Sequence, residues 1–325
     1  MNLFHKIFKR INGLQFPQEY LCLSKESFTD PLRVYIVQNG KVTCDVTNTH
    51  AFIGYQPLLL ATFYASSKNQ LFADQLVLCF SKEFLHPNED FNVKDAIATL
   101  RVRKIRSATA GGEVVVVYEG VEGHHRFQSI FHQWIANLNN RLVNKRKENV
   151  FLEANLYQQV QIAYALPRVI SLITVSGAGG YNLFPTDLHG EIGCDHYTIS
   201  LRHEGKACTQ VRDSGRLLIS TVESGSFKEV YLLGKNHMQD PKDISLFPFS
   251  AKRSAHYNLP IPDSAIYCRE LEVTDSFILG IHRIFTLRII SRQTINDKND
   301  TLAHVHNAYA SWRHNKRMTG NYLLR

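Results

Sequence analysis

The chain has 325 residues, of which 44% are hydrophobic and 20% charged, an ordinary globular composition that fits two domains or one elaborate domain. No apolar run approaches the roughly 18 to 20 residues of a membrane span, and Met1–Gly13 lacks the apolar centre of a secretory signal. We therefore expect a cytoplasmic protein without a membrane span. Its six cysteines are scattered without a C-x-x-C pair, which argues against a disulfide framework or a zinc knuckle and predicts buried thiols.

The net charge of +8 and the pI near 9.1 are compatible with a nucleic acid, an anionic membrane or a small anionic ligand such as a phosphate. The densest basic clusters, Asn144–Asn149 and Trp312–Arg317, fall at predicted helix ends, where cations complement the helix dipole. Because no strand interleaves basic and aromatic residues in the manner of RNA-recognition motifs, we do not expect a nucleic-acid partner.

The N-terminus has a helical period of apolar residues, with Lys6, Lys9 and Arg10 between them and Gly13 as a stop signal. The apolar positions are Leu3, Phe4, Ile7, Phe8 and Ile11. This pattern predicts a basic amphipathic helix. It could lie on a membrane surface, but docking on the protein's own core is the interpretation we favour.

From Leu32 to Tyr118 the sequence predicts mainly strands, in the runs "LRVYIV", "LLLATFYA", "QLVLCF", "ATLRVRKI" and "EVVVVYEG". A helix should follow, because one apolar stripe is formed by Phe127, Ile130, Phe131, Trp134, Ile135, Leu138 and Leu142. The charged stretch Asn144–Asn149 then predicts a boundary between a domain at 1–145 and a second domain at 150–325.

In the second half the pattern restarts with a helix around Leu152–Ala163 and a strand "RVISLITV". The glycine-rich run Val175–Gly180 predicts a hairpin turn, since it lacks the Lys-Ser/Thr of a P-loop. Further strands are predicted at "RLLISTV", "EVYLLG", "AIYCRELEV" and "HRIFTLRIIS". A final helix should carry Leu302, Val305, Tyr309 and Trp312 on one side.

The two halves echo each other. "HAFIGYQPLLLA" from His50 aligns without a gap on "HGEIGCDHYTIS" from His189, and "GHHRF" at Gly123–Phe127 is similar to "GIHRIF" at Gly280–Phe285. Chance agreement among short β-segments is the alternative. If the echo is real, the chain is a tandem of two small antiparallel β-barrels, a covalent counterpart of a symmetric dimer, and barrel closure would remove exposed strand edges.

The second half also resembles a known family. The runs "LPRVISLITVSGAGGYNLFPTDLHG", "YTISLRHEGKACTQVRDSGRLLISTV", "AIYCRELEV" and "GIHRIF" look like the flavin reductase-like, FMN-binding split-barrel family, over about Leu166 to Gln293. The resemblance implies a mainly β fold with flanking helices (α+β), built as two tandem split-barrel-like antiparallel β-barrels. It further implies FMN at the interface between them. Because Thr62–Ser67, opposite the phosphate-loop residues, has no Arg or Lys in its early part, we expect the first barrel to be degenerate and without a flavin of its own.

Carried over by position, the resemblance implies that Asn182, Thr186 and Asp187 lie along the flavin ring and ribityl chain, with His189 close by. Three basic residues after "YTISL", which are Arg202, His203 and Lys206, would approach the phosphate. The chemistry agrees, because guanidinium and ammonium groups stabilise a phosphate dianion and a short helix from about Lys206 would add backbone N–H donors. The alternative is that "RHEGK" is a solvated hairpin turn.

His282 matches the family's late-strand histidine, which would lie at the rim where flavin and nicotinamide meet. Ile281 stands where an acidic residue is common in that family, and a lone histidine on an apolar strand is often a core residue, so both roles stay open. Asp187 and His189 could instead form a proton-transfer pair or half a metal site, but without a third ligand at suitable spacing we expect no metal.

These observations predict an FMN-binding, flavin reductase-type oxidoreductase that takes electrons from NADH or NADPH. A flavin carries the hydride chemistry itself, which fits the absence of an obvious acid–base pair. The partners would be flavin and nicotinamide, and the chain would be a monomeric pseudo-dimer or a homodimer. One alternative is a non-enzymatic flavin-binding or interaction module with the same fold, and another is a basic β-protein that binds nucleic acid.

Overall fold

The structure is a computed structural model that describes residues 11, 13–16, 18–24, 32–65, 73–110, 112–143, 152–153, 155–297 and 300–318. The predicted N-terminal helix, except for Ile11, and the predicted boundary at Asn144–Asn149 lie outside the described residues. No helix among the described residues is long and apolar enough to cross a membrane.

The first half consists of eight described strands followed by a helix. The strands are β1 (Tyr20–Ser24), β2 (Arg33–Gln38), β3 (Lys41–Asp45), β4 (His50–Tyr55), β5 (Leu58–Ala65), β6 (Gln75–Ser81), β7 (Ala98–Ala110) and β8 (Glu113–His125), and the helix is α1 (Ile130–Val143). Strands β2 to β8 form one antiparallel sheet in the order β3-β2-β6-β7-β8-β5-β4. The tight β2–β3 turn has Asn39 at φ 52° and Gly40 at φ 76°, the left-handed conformations that this pair of residues favours in hairpins.

The second half begins with α2 (Asn155–Ala163) and is again mainly β. Its strands are β9 (Arg168–Val169), β10 (Ser171–Gly177), β11 (Gly180–Thr186), β12 (His189–Ile192), β13 (His196–Arg202), β14 (Arg216–Val222), β15 (Phe249–Arg253), β16 (Pro260–Pro262), β17 (Ala265–Leu279), β18 (His282–Thr294) and β19 (Leu302–His306). Its other helices are α3 (Lys206–Ser214), α4 (Phe227–Leu233) and α5 (Asn307–Asn315).

The large sheet of the second half has the order β11-β10-β14-β17-β18-β13-β12, which repeats the order of the first sheet when the strands are taken in chain sequence. In both sheets the two end strands, as far as the structure describes them, do not pair with each other. The fold is therefore mainly β with flanking helices, as the sequence predicts, but the sheets are open and the expected barrel closure is wrong.

One of the two sequence echoes falls on equivalent positions and the other does not. His50 opens β4 and His189 opens β12, and these strands occupy the same place in their sheets. By contrast, Gly280 lies in the turn before β18, whereas Gly123 lies near the end of β8. The match between "GHHRF" and "GIHRIF" therefore relates opposite ends of equivalent strands and is not evidence of common descent.

The two halves of the chain are joined by a common sheet and by a common core. Strand β19 pairs with β1 on one side and with β9 on the other, which joins the two ends of the chain in one three-stranded sheet. The core beneath the first sheet includes Val160 and Ile162 from α2, and Ala308 and Tyr309 from α5. Residues beyond 150 thus complete the first core, and the division at 1–145 and 150–325 stays a prediction.

Several local expectations are corrected by the structure. "EVYLLG" lies largely in α4 and is not a strand, and Leu302 and Val305 belong to β19, before the last helix begins. Cys194 is exposed and Cys44 is intermediate, so not every thiol is buried. The apolar stripe of α1 does not pack inward: Ile130, Phe131, Trp134 and Leu138 are exposed.

Candidate functional site

A cavity of about 370 Å³ opens where β11 and β13 end and α3 begins, and we call it the strand-end cavity. Its lining residues come almost entirely from the second half, with Tyr55 from the first. They are Tyr55, Pro185, Thr186, Asp187, Leu188, Ser200, Leu201, Arg202, Gly205, Ala207, Cys208, Gly234, His237, Met238 and His282. The cavity therefore combines apolar walls with a few polar groups, as small-molecule sites do.

The first turn of α3 forms one wall. Its N-cap is Gly205, which has extended backbone and no side chain to cap the helix, and both Gly205 and Ala207 line the cavity. The first amide N–H groups of a helix have no intrahelical partner and carry the positive end of its dipole. A Cβ at Gly205 would approach the carbonyl oxygen of Arg202 to 3.2 Å, so this close approach of the chain favours glycine.

Arg202 places a cation at the same wall. Its Nε donates a hydrogen bond of 2.6 Å to the hydroxyl of Tyr55, and its guanidinium carbon lies 5.6 Å from the centre of the Tyr55 ring. Arg202 is exposed, and among the described residues no carboxylate lies within ion-pair distance of it. The first half of the chain thus holds the guanidinium of the second half beside the helix N-terminus.

His282 lies deeper than the sequence predicts. It is only 1% exposed, and its ring packs edge-on against Tyr55 with the ring centres 4.6 Å apart. Its Nδ1 lies 3.2 Å from the hydroxyl of Ser200, and its Nε2 accepts a long hydrogen bond of 3.4 Å from the backbone N–H of Tyr55. Burial, together with the charge of Arg202, lowers the pKa of His282 to about 4, so its ring is neutral at pH 7.

Asp187 borders the cavity and belongs to a buried polar chain. Its Oδ2 accepts hydrogen bonds from the hydroxyl of Tyr164 at 3.0 Å and from Nδ1 of His304 at 2.9 Å. Burial opposes the charged carboxylate, but the His304 hydrogen bond and charge hold its pKa well below the usual range. Burial likewise opposes the charged imidazole, yet the bond to Asp187 raises the pKa of His304 to about 9, so the two form a buried ion pair at pH 7.

The other predicted site residues are not brought into the cavity. The side-chain amide of Asn182 is 1% exposed and donates to Gln210 at 2.6 Å and to the Asn236 carbonyl at 3.1 Å, so it fastens the loop behind the site. The Nζ of Lys206 points to Asp240, at 2.5 Å from its carboxylate.

His203 and His189 also lie apart from the cavity walls. The described bond of His203 runs from its backbone N–H to the Ile281 carbonyl, at 3.0 Å. His189 lines a different cavity and is bonded to the hydroxyl of Tyr197 at 2.7 Å and to the Val169 carbonyl at 3.0 Å. Of the eight predicted residues, the strand-end cavity therefore holds Thr186, Asp187, Arg202 and His282.

Sequence reasoning missed several contributors to the lining, among them His237, Met238 and Tyr55. His237 and Met238 line the cavity from a short 3₁₀ segment, and Tyr55 reaches it from the end of β4. The segment Gly234–Met238 has no pattern that announces a ligand. For Tyr55 the sequence did contain a signal. The similarity of the His50 and His189 segments makes β4 and β12 equivalent strands, and β4 contacts β12 and β13 of the second half.

No cluster of three or more histidine, cysteine, aspartate or glutamate side chains able to hold a metal ion is found among the described residues. Asp187 and His189, the alternative pair for half a metal site, are bonded to different groups. The site is therefore one of hydrogen-bond donors, a guanidinium and apolar walls.

Residues 163–313 match the family model of the flavin reductase like domain. No curated protein matches the chain.

A comparison with solved structures matches the chain to an FMN-binding protein from Thermus thermophilus with bound p-hydroxybenzaldehyde, at 20% identity over 40% of this chain and 73% of that one, with a TM-score of 0.36. An NADH:FAD oxidoreductase from Streptomyces globisporus has 13% identity, covers 52% of this chain and 91% of that one, and has a TM-score of 0.41. The styrene monooxygenase flavin reductase from Pseudomonas putida S12 has 17% identity, 44% and 90% coverage and a TM-score of 0.38. The match to the flavin reductase like domain thus covers residues 163–313, in the second half of the chain.

Proposed function

We propose that the chain binds FMN in the strand-end cavity and acts as a flavin reductase-type oxidoreductase, with NADH or NADPH as the electron donor. The observation that carries the proposal is the meeting of Arg202 with the uncapped first turn of α3 at one wall of this cavity. A helix N-terminus and a guanidinium together form a site for a phosphate dianion.

The rest of the cavity suits the uncharged part of the ligand. Pro185, Leu188 and Met238 supply apolar surface, while the hydroxyl groups of Thr186 and Ser200 supply polar contacts. A flavin carries the hydride chemistry when it is bound. The residues of this chain then need only to hold it, to orient its ring and to limit access of water.

Arg202 and the first turn of α3 would hold the phosphate, and Thr186 and Asp187 would lie along the ring and ribityl chain. Asp187 keeps its charge at pH 7 through His304, so the carboxylate presents acceptors and no donor to the ligand. His282 would present a neutral ring at the end of the cavity next to Tyr55. The side chains of Asn182, His203 and Lys206 would act from behind or beside the site.

A second candidate is a flavin-binding or interaction module without reductase activity. It is favoured by the cover over His282, where the backbone N–H of Ile281 donates to the Gln56 carbonyl at 3.2 Å and Tyr55 packs on the ring. To reach this histidine, a nicotinamide has to displace the turn at Gln56, which lies between β4 and β5 of the first half. Reduction of bound FMN by NADH or NADPH in a stopped-flow spectrometer separates the two candidates, because a passive module gives no bleaching with either donor.

We also propose that the chain is a tandem pseudo-dimer with one flavin. The identical strand order of the two large sheets supports the duplication. Ala65 ends β5 and pairs with the first residue of β8, as Arg202 ends β13 and pairs with the first residue of β18, so the first half has no guanidinium there. Visible absorbance of the FMN-saturated protein should count one flavin per chain, and two would contradict a degenerate first half. A cytoplasmic location and a monomeric state complete the proposal.

The direct test of the phosphate site compares FMN with riboflavin. Loss of a hydrogen bond to a charged group costs about 1.5 to 3 kcal/mol, or roughly ten- to hundredfold in affinity. Arg202→Ala should therefore weaken FMN by about that factor and leave riboflavin, which has no phosphate, nearly unchanged. Arg212→Ala is the matched control, since this arginine lies in the last turn of the same helix beside Asp213. An equal loss of affinity for FMN and riboflavin would show that the phosphate binds elsewhere.

A further inference from the structure

A second and larger cavity, of about 640 Å³, lies where the two halves of the chain meet, and we call it the inter-half cavity. His50, Phe52 and Phe63 line it from the first half, and Arg168, His189 and Tyr197 from the second. It shares Asp187 with the strand-end cavity but not Arg202 or the first turn of α3. The groups proposed to bind FMN phosphate are thus absent from its lining.

The inter-half cavity is built by equivalent strands facing each other. His50 and Ala51 of β4 correspond in the gapless alignment to His189 and Gly190 of β12, and all four residues line the cavity. A Cβ at Gly190 would lie 3.4 Å from that of Ala51, in ordinary van der Waals contact, so the two strands touch at this point. The cavity therefore requires both halves and exists in neither alone.

Arg168 gives this cavity an unbalanced positive charge. It is 8% exposed, and its Nη2 donates to the carbonyl oxygens of Phe52 at 2.6 Å and of Asp187 at 3.1 Å. The guanidinium lies about 5 Å from the ring centres of Phe52 and Tyr164. In the described part of the chain it has no ion pair, and its Nη1 has no hydrogen-bond partner. A buried charge left without a counter-charge is costly.

The other charges at the cavity are already paired. The carboxylate of Asp187 binds His304 at 2.9 Å, and that of Glu191 binds Nε of Arg269 at 2.5 Å. Glu191 is also within 3.7 Å of Nη2 of Arg292, which is not part of the cavity lining. Asp187 and Arg168 do attract each other, but each carboxylate has another cation as its closer partner, and among the described residues neither lies within ion-pair distance of Arg168.

The two histidines add no charge and one of them offers an acceptor. Burial lowers the pKa of both His50 and His189 to about 4, so both are neutral at pH 7. Nδ1 of His50 lies 2.5 Å from the Val46 carbonyl, which makes Nδ1 the donor and leaves Nε2 as an acceptor. The hydrogen bonds of His189 are used by Tyr197 and the Val169 carbonyl.

We propose that the inter-half cavity is a second ligand site, which takes a small ring-containing monocarboxylate. The carboxylate would neutralise Arg168, for which a planar guanidinium is suited, and the ring would lie among Phe52, Phe63 and Tyr197. A single negative charge matches the single unpaired cation. The volume falls within the range of about 300 to 1,000 Å³ of small-molecule sites. This site is independent of the proposed flavin site and does not rest on it.

The test uses naphthalene-2-carboxylate and its uncharged isostere 2-naphthamide, titrated by calorimetry into the protein with and without saturating FMN. We expect one carboxylate per chain, bound at least about tenfold more tightly than the amide because one charge-assisted contact is lost in the amide, with an affinity that FMN does not change. No binding at millimolar concentration, equal affinity for acid and amide, or displacement by FMN would each overturn the proposal. The titration without FMN does not depend on flavin binding, so it tests this proposal even if the protein fails to bind FMN.

Two kinds of variant keep the test independent of folding defects. Asn48 is exposed at the cavity wall, so Asn48→Trp should block the cavity and abolish carboxylate binding without touching the core. Gln75→Trp is the matched control, since Gln75 is exposed at the start of β6 and does not line the cavity. Arg168→Met should remove the preference for acid over amide and Arg168→Lys should keep it. Equal carboxylate binding by folded Asn48→Trp and Gln75→Trp proteins would sink the assignment.

Discussion

The buried ion pair of Asp187 and His304 makes the stability of this protein depend on pH in a direction that can be worked out in advance. The pair is joined by a 2.9 Å hydrogen bond, and each side chain is about four-fifths buried. Asp187→Asn keeps the shape of the side chain and its ability to hydrogen-bond Tyr164, but removes the negative charge that keeps His304 protonated. The change therefore tests the charge of the pair and not its packing.

The magnitude follows from the pKa of His304. Its rise from 6.5 to about 9 corresponds to about 3 kcal/mol of the free energy of unfolding. Because the pKa is raised in the folded state, this contribution is fully present below pH 6.5 and is lost as pH rises through 9. The depressed pKa of Asp187 acts at the other end, since its contribution is lost only in acid, below the ordinary carboxyl range.

We expect Asp187→Asn to lower the free energy of unfolding by about 3 kcal/mol at pH 6 and by only about 1 kcal/mol at pH 9.5, where His304 is mostly neutral and the change replaces a carboxylate acceptor by a weaker amide acceptor. Urea titrations followed by circular dichroism at both values of pH measure the difference. Asp213→Asn is the control, because Asp213 forms an exposed pair with Arg212 and should cost less than about 1 kcal/mol at either pH. A loss for Asp187→Asn that is the same at pH 6 and pH 9.5 would refute the argument.

Two further substitutions test how the first half covers the site. Gly280→Ala should destabilise the protein by about 1 to 3 kcal/mol in a thermal melt, since Gly280 has φ 56° and a Cβ there would come within 2.0 Å of the Gln56 carbonyl oxygen; an unchanged melting temperature would contradict the close contact of the turn. His282→Ala should leave FMN bound and slow its reduction by NADH or NADPH if the ring serves the reaction; a lower melting temperature with an unchanged reduction rate would make His282 a structural residue.

Much of the architecture could be predicted from local sequence. The β-branched and aromatic runs identify most strands, and Asn39 with Gly40 identifies a hairpin, because these are properties of a few neighbouring residues. The order of motifs in the second half was enough to point to the flavin reductase like domain. The residue types of Arg202 and Thr186 likewise indicated a polar ligand before their positions were known.

Tertiary structure alone decided which of these residues meet. The side chain of Lys206 turns to Asp240 and that of Asn182 inward, because each finds a hydrogen-bond partner in a loop more than 30 residues away in sequence. The stripe on α1 is helical in period, but whether an apolar face is buried depends on what the rest of the fold brings against it, and Trp134 stays exposed.

The same holds for the two cavities. Tyr55 holds Arg202 across 147 residues, and Arg168 holds Phe52 across 116, so both contacts arise only when the halves come together. Sequence periodicity reports which side of a strand is apolar, and it carries no information on which distant strand end will face it. The sequence by itself thus determined most strands and the chemistry of their ends, while the packing of one half on the other decided that these ends enclose two cavities.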